Sequence, residues 1–402
     1  MVIPVNAHDL FTKEARRHPQ AVYARMRRED PVYPIIGAHS GERFWVLTRY
    51  DDCNAALKDP RIGKEIHRHL PPQKLATLAS DPSGLPFLDR ILLNIDPPDH
   101  TRLRGLVNKA FTPHRIEALR PRIEQIADEL LDHVQGHSGM DLIISYAFPL
   151  PITVIAELLG VPVDDRDRFR SWTKAVLFGH DDEVMAAGME FVLYMNRLIE
   201  TFRAHPGDNL LSDLIVVQDE GSRLSPDELM SMIFLLLVAG HETTVNLIGN
   251  GTLLLFQHPD QMQALRDNPS LIKTSVEEML RYNGPVETTT IRFAFEDVSI
   301  GGKKIPQGEI VLAALLAANR DPAIFDRPDE FDISRDPNRH IAFGSGIHYC
   351  LGAPLARMEG AIAINTLLRR LPRLHLAPGV EDQLEWSESL LLHGLKALPV
   401  RF

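Results

Sequence analysis

The residue with the most distinctive chemistry in this chain is Cys350, because of what surrounds it. It lies in the stretch Phe343-Gly-Ser-Gly-Ile-His-Tyr-Cys350-Leu-Gly-Ala-Pro-Leu-Ala-Arg357. Gly344, Gly346 and Gly352 let a loop fold closely around one side chain, since glycine takes dihedrals that other residues avoid. From Leu351 onward the pattern reads as a buried helix, so the sulfur stands at a helix N-terminus, where N–H groups and the positive dipole end favour the thiolate. A lone thiolate of this kind suits a single axial metal bond and does not suit zinc, which needs four ligands. A buried free cysteine is the bland alternative. The second place is Ala239-Gly-His-Glu-Thr-Thr244, where glycine, an acid and two hydroxyls interrupt an apolar run. Such breaks of local rules tend to mark function. A kinked core helix whose hydroxyls bond back to its own carbonyls would also produce one. Two weaker pairs follow. His100 and Arg104 stand four apart and share a helix face, which a solvated basic helix would show as well. Glu278 and Arg281 stand three apart, and as a surface pair would add only about 0.2–0.5 kcal/mol.

The elements that position these residues are mostly helices. Ser225-Pro-Asp-Glu228 is a capping box with proline in the first turn. The helical pattern then runs to Gln257, about 32 residues or on the order of 48 Å. Leu229 to Ala239 is apolar all round, which predicts a buried helix. Asp96-Pro-Pro-Asp99 predicts the start of the helix carrying His100 and Arg104, with Asp96 as cap. Residues 8–30 read as one amphipathic helix, and 115–160 as two helices broken at Pro149 and Pro151. Residues 43–48 are strand-like after a Ser40-Gly41 turn, followed by a helix opening at Tyr50 on which Cys53 is a core residue. Residues 62–95 read as a long, partly helical loop. Val298–Pro306 reads as a hairpin, followed by a strand over 309–313.

The 402 residues carry a formal net charge of −11, with 44% hydrophobic and 24% charged residues. That balance is ordinary for a globular protein and argues against a nucleic-acid partner. The two cysteines, Cys53 and Cys350, are expected to be unpaired in a reducing compartment. The first twenty residues hold no apolar signal region, and no run of about 18 apolar residues occurs. A cytoplasmic protein without a membrane segment is expected.

Phe-Gly-x-Gly-x-His-x-Cys-x-Gly-x-x-Leu-Ala-Arg resembles the haem-ligand loop of the cytochrome P450 family, the haem-thiolate monooxygenases. Ala-Gly-His-Glu-Thr-Thr resembles that family's oxygen-activation site, and Asp-Pro-Pro-Asp-His-Thr-Arg-Leu-Arg its haem-gripping helix. Glu278 and Arg281, about 70 residues before Cys350, resemble its structural pair. The four motifs occur in the family's order, and the resemblance runs from about residue 20 to the C-terminus. It implies a mainly α fold with small β-sheets, as a single catalytic domain over 1–402. It further implies haem b as cofactor, with Cys350 as axial ligand of the iron. Phe343 and Gly352 would belong to the loop around it. His100, Arg104, Arg292 and His348 would bind the haem propionates. His340 is open between a propionate contact and a packed histidine. Gly240 would leave room over the haem. Glu242 and Thr243 would deliver protons for O–O cleavage, with Thr244 a packing neighbour. Arg335 would join Glu278 and Arg281 in holding the cysteine loop.

The implied activity is hydroxylation or epoxidation of a small hydrophobic organic substrate with dioxygen and two electrons. One cysteine beyond Cys350 cannot hold an iron–sulfur cluster. The donor is therefore expected to be a separate ferredoxin with its ferredoxin reductase, docking near Arg102, Lys109 and Arg357. Two rivals remain. Peroxide-driven members lack the acid–alcohol pair, so Glu242 and Thr243 weigh against a peroxygenase. A haem-binding sensor would need Cys350, Arg104 and Arg292, but neither Glu242 nor Thr243. Substrate contacts are expected from Leu92, Leu93, Ala239, Thr288, Thr289, Leu391 and Leu392. Gly284-Pro-Val-Glu-Thr-Thr-Thr290 is similar to macrolide and polyketide hydroxylases of the family.

Overall fold

The computed structural model describes residues 7–36, 43–70, 90–178, 181–219 and 224–402. The Ser40-Gly41 turn and residues 71–89 of the expected loop lie outside them. The described elements are mainly helices with three small sheets, as expected for the fold class. They form two compact units: Met1–Leu70, Glu124–Phe148 and Thr243–Phe402 in one, Pro71–Ile123 and Pro149–Glu242 in the other.

In the first unit the strands run Val32–Ile36, Arg43–Leu47, Ile310–Ala313, Arg292–Ala294 and Ile62–Gly63 across one sheet. Arg43–Leu47 pairs antiparallel with Val32–Ile36 and parallel with Ile310–Ala313. The Trp45 indole donates to Glu309, 264 residues away. Val32–Ile36 escapes a reading by propensity because Pro34 lies inside it. Proline cannot donate to a ladder, and the strand is tolerated because it lies at the sheet edge. One core of the unit gathers Trp45, Leu47, Ile62, Val311 and Ala313 around Cys53. The Cys53 thiol is fully buried and donates to the Leu47 carbonyl at 3.2 Å, and burial pushes its pKa up. It is unpaired, as expected. Residues 8–30 form three helices rather than one: Ala7–Phe11, Lys13–Arg17 and Pro19–Glu29. Thr12 caps the second by accepting from the Ala15 N–H, and Pro19 opens the third. A further core packs Ile272–Asn283 against Ala353–Arg370 through Val276, Met279, Leu280, Ile364 and Leu368.

The second unit holds Asp99–Ala110, Pro149–Leu159, Arg166–Phe178, Asp181–Ala204 and Leu210–Asp219. Phe169, Trp172, Phe191, Tyr194 and Phe234 form an edge-to-face aromatic cluster inside it. Pro149 does not break a helix as expected. It begins one, following a π-helical turn over Ile143–Ala147, and proline is tolerated in a first turn.

The central helix spans Pro226–Gln257, 32 residues, and the division between the units falls within it, after Glu242. Its capping box forms as read: Glu228 N–H donates to Ser225 Oγ at 3.1 Å and Ser225 N–H to Glu228 Oε2 at 2.8 Å. By length and composition alone this helix could cross a membrane. Yet 67% of its most apolar window is buried inside the protein, as a core helix requires. Replacing Ser225 by Ala is expected to cost about 1 kcal/mol of stability by urea unfolding, and Ser225→Asp to recover most of it.

Candidate functional site

The cysteine loop is tied by its own backbone. Gly344 N–H donates to Ile341 O at 2.8 Å, Tyr349 N–H to Gly346 O at 3.1 Å, and Cys350 N–H to Phe343 O at 3.0 Å. Gly344 and Gly346 both have φ of +72°, and a Cβ on Gly346 would stand 2.4 Å from the Leu57 carbonyl oxygen. Glycine is therefore required at 346 on two counts. Gly352 precedes the helix Ala353–Arg370, with Pro354 in its first turn. Cys350 is half-buried, while Ile347 and Tyr349 beside it are exposed. Among the described residues no group of three or more His, Cys, Asp or Glu could hold a metal ion.

Two adjacent glutamates anchor the loop. Glu278 and Arg281 are fully buried, not the exposed pair that local spacing allows. Arg281 binds the carboxylate through Nε and Nη2, both at 2.7 Å. Arg335 Nε joins at 3.1 Å, and Asn338 Nδ2 and the Asp332 N–H at 3.0 Å each. The expected trio is thus brought together. Glu277, which sequence reading missed, holds the other side. Arg357 donates to it at 2.6 and 2.8 Å, and His340 Nε2 lies 3.0 Å away. Burial alone would raise the Glu277 carboxyl, but the bonds from Arg357 and His340 outweigh it and hold it down at about 2. The same guanidinium lies over the Phe343 ring at 4.5 Å and donates to the Tyr349 hydroxyl at 3.3 Å. His340 is therefore a partner of Glu277, which closes the question the sequence left open. Arg357 is engaged in this node rather than displayed for docking. Arg102 is likewise tied to Glu228 and Asp99. Lys109, the third expected docking cation, is exposed.

The candidate anion binders lie where expected along the chain. His100 is buried and Arg104 follows one turn later on Asp99–Ala110, its Nε donating to Asn108 at 3.3 Å. That helix starts at Asp99, with Pro98 at the cap position. The Asp96 backbone carbonyl accepts from the His100 N–H at 3.0 Å. Arg292 is buried at the start of its strand, and His348 lies two residues before Cys350.

At mid-length the central helix changes character. Ala239 and Gly240 are exposed although the helix is buried on either side. A Cβ on Gly240 would meet only the Ile155 side chain, at 3.7 Å. Space therefore reaches the helix at these residues. Burial raises Glu242 to about 7. His241 is fully buried, its Nδ1 2.9 Å from the Leu237 carbonyl, and burial lowers it to about 4. Its Nδ1 thus carries the proton and donates, leaving a neutral ring. Thr244, expected only to pack, hydrogen-bonds Glu359, a fully buried acid that burial raises to about 8. Nothing in local spacing relates residues 244 and 359.

Among the expected substrate contacts, Leu391 is exposed, and Leu93, Thr289 and Leu392 are half-buried. Leu92 is buried, and so is Thr288, whose hydroxyl donates to the Leu390 carbonyl at 2.9 Å. Its hydroxyl is occupied by the backbone.

A cytochrome P450 family model matches residues 152–398. The chain is 52% identical to cytochrome P450 107B1 of Saccharopolyspora erythraea, over 98% of this chain and 96% of that protein. The chain belongs to the cytochrome P450 family. The polyketide biosynthesis cytochrome P450 PksS of Bacillus subtilis is 44% identical over 96% of each chain. The solved structure of the myxobacterial cytochrome P450 CYP267B1 in complex with myristic acid superposes with a TM-score of 0.92, at 49% identity, covering 98% of this chain and 99% of that one. The protein is a cytochrome P450 monooxygenase, of a family that binds haem b through a cysteine thiolate. The residues present fit that group. The soft thiolate of Cys350, at the end of a loop whose glycines leave room beside it, suits an iron already held by a macrocycle. Exposed Ala239 and Gly240 leave a flat apolar stretch on the central helix.

Glu278→Gln leaves two guanidiniums facing a neutral amide in a buried site. It is expected to cost about 3–5 kcal/mol, measured as a fall in denaturant midpoint, together with loss of bound haem.

Proposed function

We propose that this P450 hydroxylates or epoxidises a small hydrophobic substrate, using dioxygen and two electrons from a separate ferredoxin and its reductase. The observation that carries this reading is Glu242. It is an acid raised to about 7, directly before Thr243, where the central helix is open at Ala239 and Gly240. When bound, haem b supplies the iron centre at which dioxygen is activated. Cys350 is the protein ligand to it, and the N–H groups of Leu351 and Gly352 tune the sulfur through hydrogen bonds. His100, Arg104, Arg292 and His348 hold the two carboxylates of the group, which need cationic or hydrogen-bonding partners in a protein interior. Glu242 is close to half-protonated at neutral pH, so it can both give a proton and reload from solvent. Thr243 passes that proton on, since a hydroxyl donates and accepts at once. The chain works as a single catalytic domain in the cytoplasm.

The cysteines support a separate donor: the sequence has only Cys53 besides Cys350, and Cys53 is buried in the core, too few thiols for an iron–sulfur cluster. For the substrate, the polyketide role in the name of the Bacillus relative and the fatty acid bound to the myxobacterial one support an extended polyketide or long acyl chain. Exposed Leu391 and Ala239 supply apolar contact for it.

The carbon monoxide difference spectrum of the reduced protein is the primary test. A strongly red-shifted Soret band is expected, lost in Cys350→Ser, and its absence from the wild type overturns the assignment of Cys350. Thr243→Ala is expected to keep that band while product formed per electron pair falls about tenfold or more. An unchanged yield would remove Thr243 from the relay. Glu242 is protonated below about 7 and ionised above it, so product yield should fall as pH rises through that value. In Glu242→Gln that limb is expected to vanish from the pH profile, at a uniformly lower yield.

A further inference from the structure

A buried polar cluster in the first unit has no part in the reaction described above. Glu287 and Arg16 form an ion pair, Oε2 to Nη2 at 2.7 Å, with side chains only 1% and 4% exposed. The Tyr23 hydroxyl donates to the other carboxylate oxygen at 2.6 Å. His393 Nδ1 lies 3.9 Å from Oε2, and its ring stacks on Trp386 at 4.2 Å. Burial lowers His393 to about 3, so it stays neutral and Arg16 is the cation of the cluster.

The cluster joins three stretches of chain. Arg16 and Tyr23 come from Lys13–Arg17 and Pro19–Glu29. Glu287 lies in the 285–289 stretch, and His393 and Trp386 in 386–394. The last two stretches are paired by backbone. Glu287 N–H donates to Leu391 O at 2.9 Å, Thr288 N–H to Leu390 O at 3.1 Å, and His393 N–H to Pro285 O at 2.9 Å. Val286 and Leu392 form an isolated bridge. Arg16 Nε also donates to Ser387 O at 3.1 Å. In such a ladder a slip of one residue reverses every side chain on it. Apolar side chains would hold the helices to it equally well. A buried ion pair adds little net stability over such packing, and its best-attested use is to fix register.

We propose that Glu287, with Arg16 and Tyr23, is a positioning site that fixes the register of 286–289 against 390–394 and so sets which substrates the enzyme accepts. The second half rests on the monooxygenase reading, because Thr289, Leu391 and Leu392 are its expected substrate contacts. The N-terminal helices thereby act on specificity without touching substrate.

The test uses the haem-loaded enzyme and two variants: Tyr23→Phe, which removes one hydroxyl, and Arg16→Met with Glu287→Gln, which removes both charges together. Amide exchange across 286–289 and 390–394 is expected to quicken about tenfold or more in Tyr23→Phe, as for the loss of one hydrogen bond to a charged group. The ratio of dissociation constants for myristic acid and a macrolactone, read from the spin-state shift, is expected to move by a similar factor in both variants. The carbon monoxide band should keep its position. Exchange and ratio equal to the wild type, with only a lower melting temperature, overturn the proposal and leave the cluster a plain structural support. A wild type without the red-shifted band would instead defeat the monooxygenase reading, and amide exchange alone would then decide the register claim.

Discussion

One buried carboxylate carries the architecture around the cysteine. Taking Glu278 out of water costs several kcal/mol unless its oxygens are fully bonded, and they are: two guanidiniums, an amide and a backbone N–H converge on it. The guanidiniums reach further. Arg281 donates to the carbonyls of Asn319, Pro328 and Glu330, and Arg335 to those of Asp326, Arg327 and Glu330. The irregular stretch from 319 to 338 is thus wound onto the helix Ile272–Asn283. Asn319 then accepts from the Ile341 N–H at 2.8 Å, at the threshold of the cysteine loop. The sulfur is held in place by a charge that never meets it.

The neighbouring Glu277 shows how the same helix serves two purposes. Glu278 faces the irregular stretch, while Glu277 turns to Arg357 and His340 and reaches the loop from its far side through Phe343 and Tyr349. One carboxylate holds the approach to Cys350 and the other its exit. Two other acids are different in kind. Glu242 and Glu359 are raised by burial with no cation to offset it, which favours the proton-bearing form. Glu277 is held down by the groups that bond it, whereas Glu242 is pushed up to about 7.

How much of this was legible depended on whether the determinant was local. The central helix was readable to its ends because its cap, its apolar run and its stop are all within its own residues. The cysteine loop was readable because glycine at positive φ leaves a mark on sequence. The Glu278 trio was legible only through the family's pattern, since burial cannot be inferred from an i, i+3 pair. The Glu277 node, the Thr244–Glu359 bond and the Glu287 cluster join residues more than 60 positions apart, and no periodicity encodes such pairings. Pro34 concealed an edge strand, and the 8–30 helix was over-joined because Thr12 and Pro19 restart it.

The strand Arg43–Leu47 finds its parallel neighbour only when residues 310–313 exist, as the Trp45–Glu309 pairing over 264 residues makes plain. At ribosomal speeds of about 5–20 residues per second, that interval is roughly 13–50 s of synthesis. Throughout it the hairpin formed with Val32–Ile36 has an open inner edge, of the kind that recruits stray strands. Translation stalled before the fourth century of residues leaves that edge bare, so the nascent chain needs shielding early, well before Cys350 leaves the ribosome.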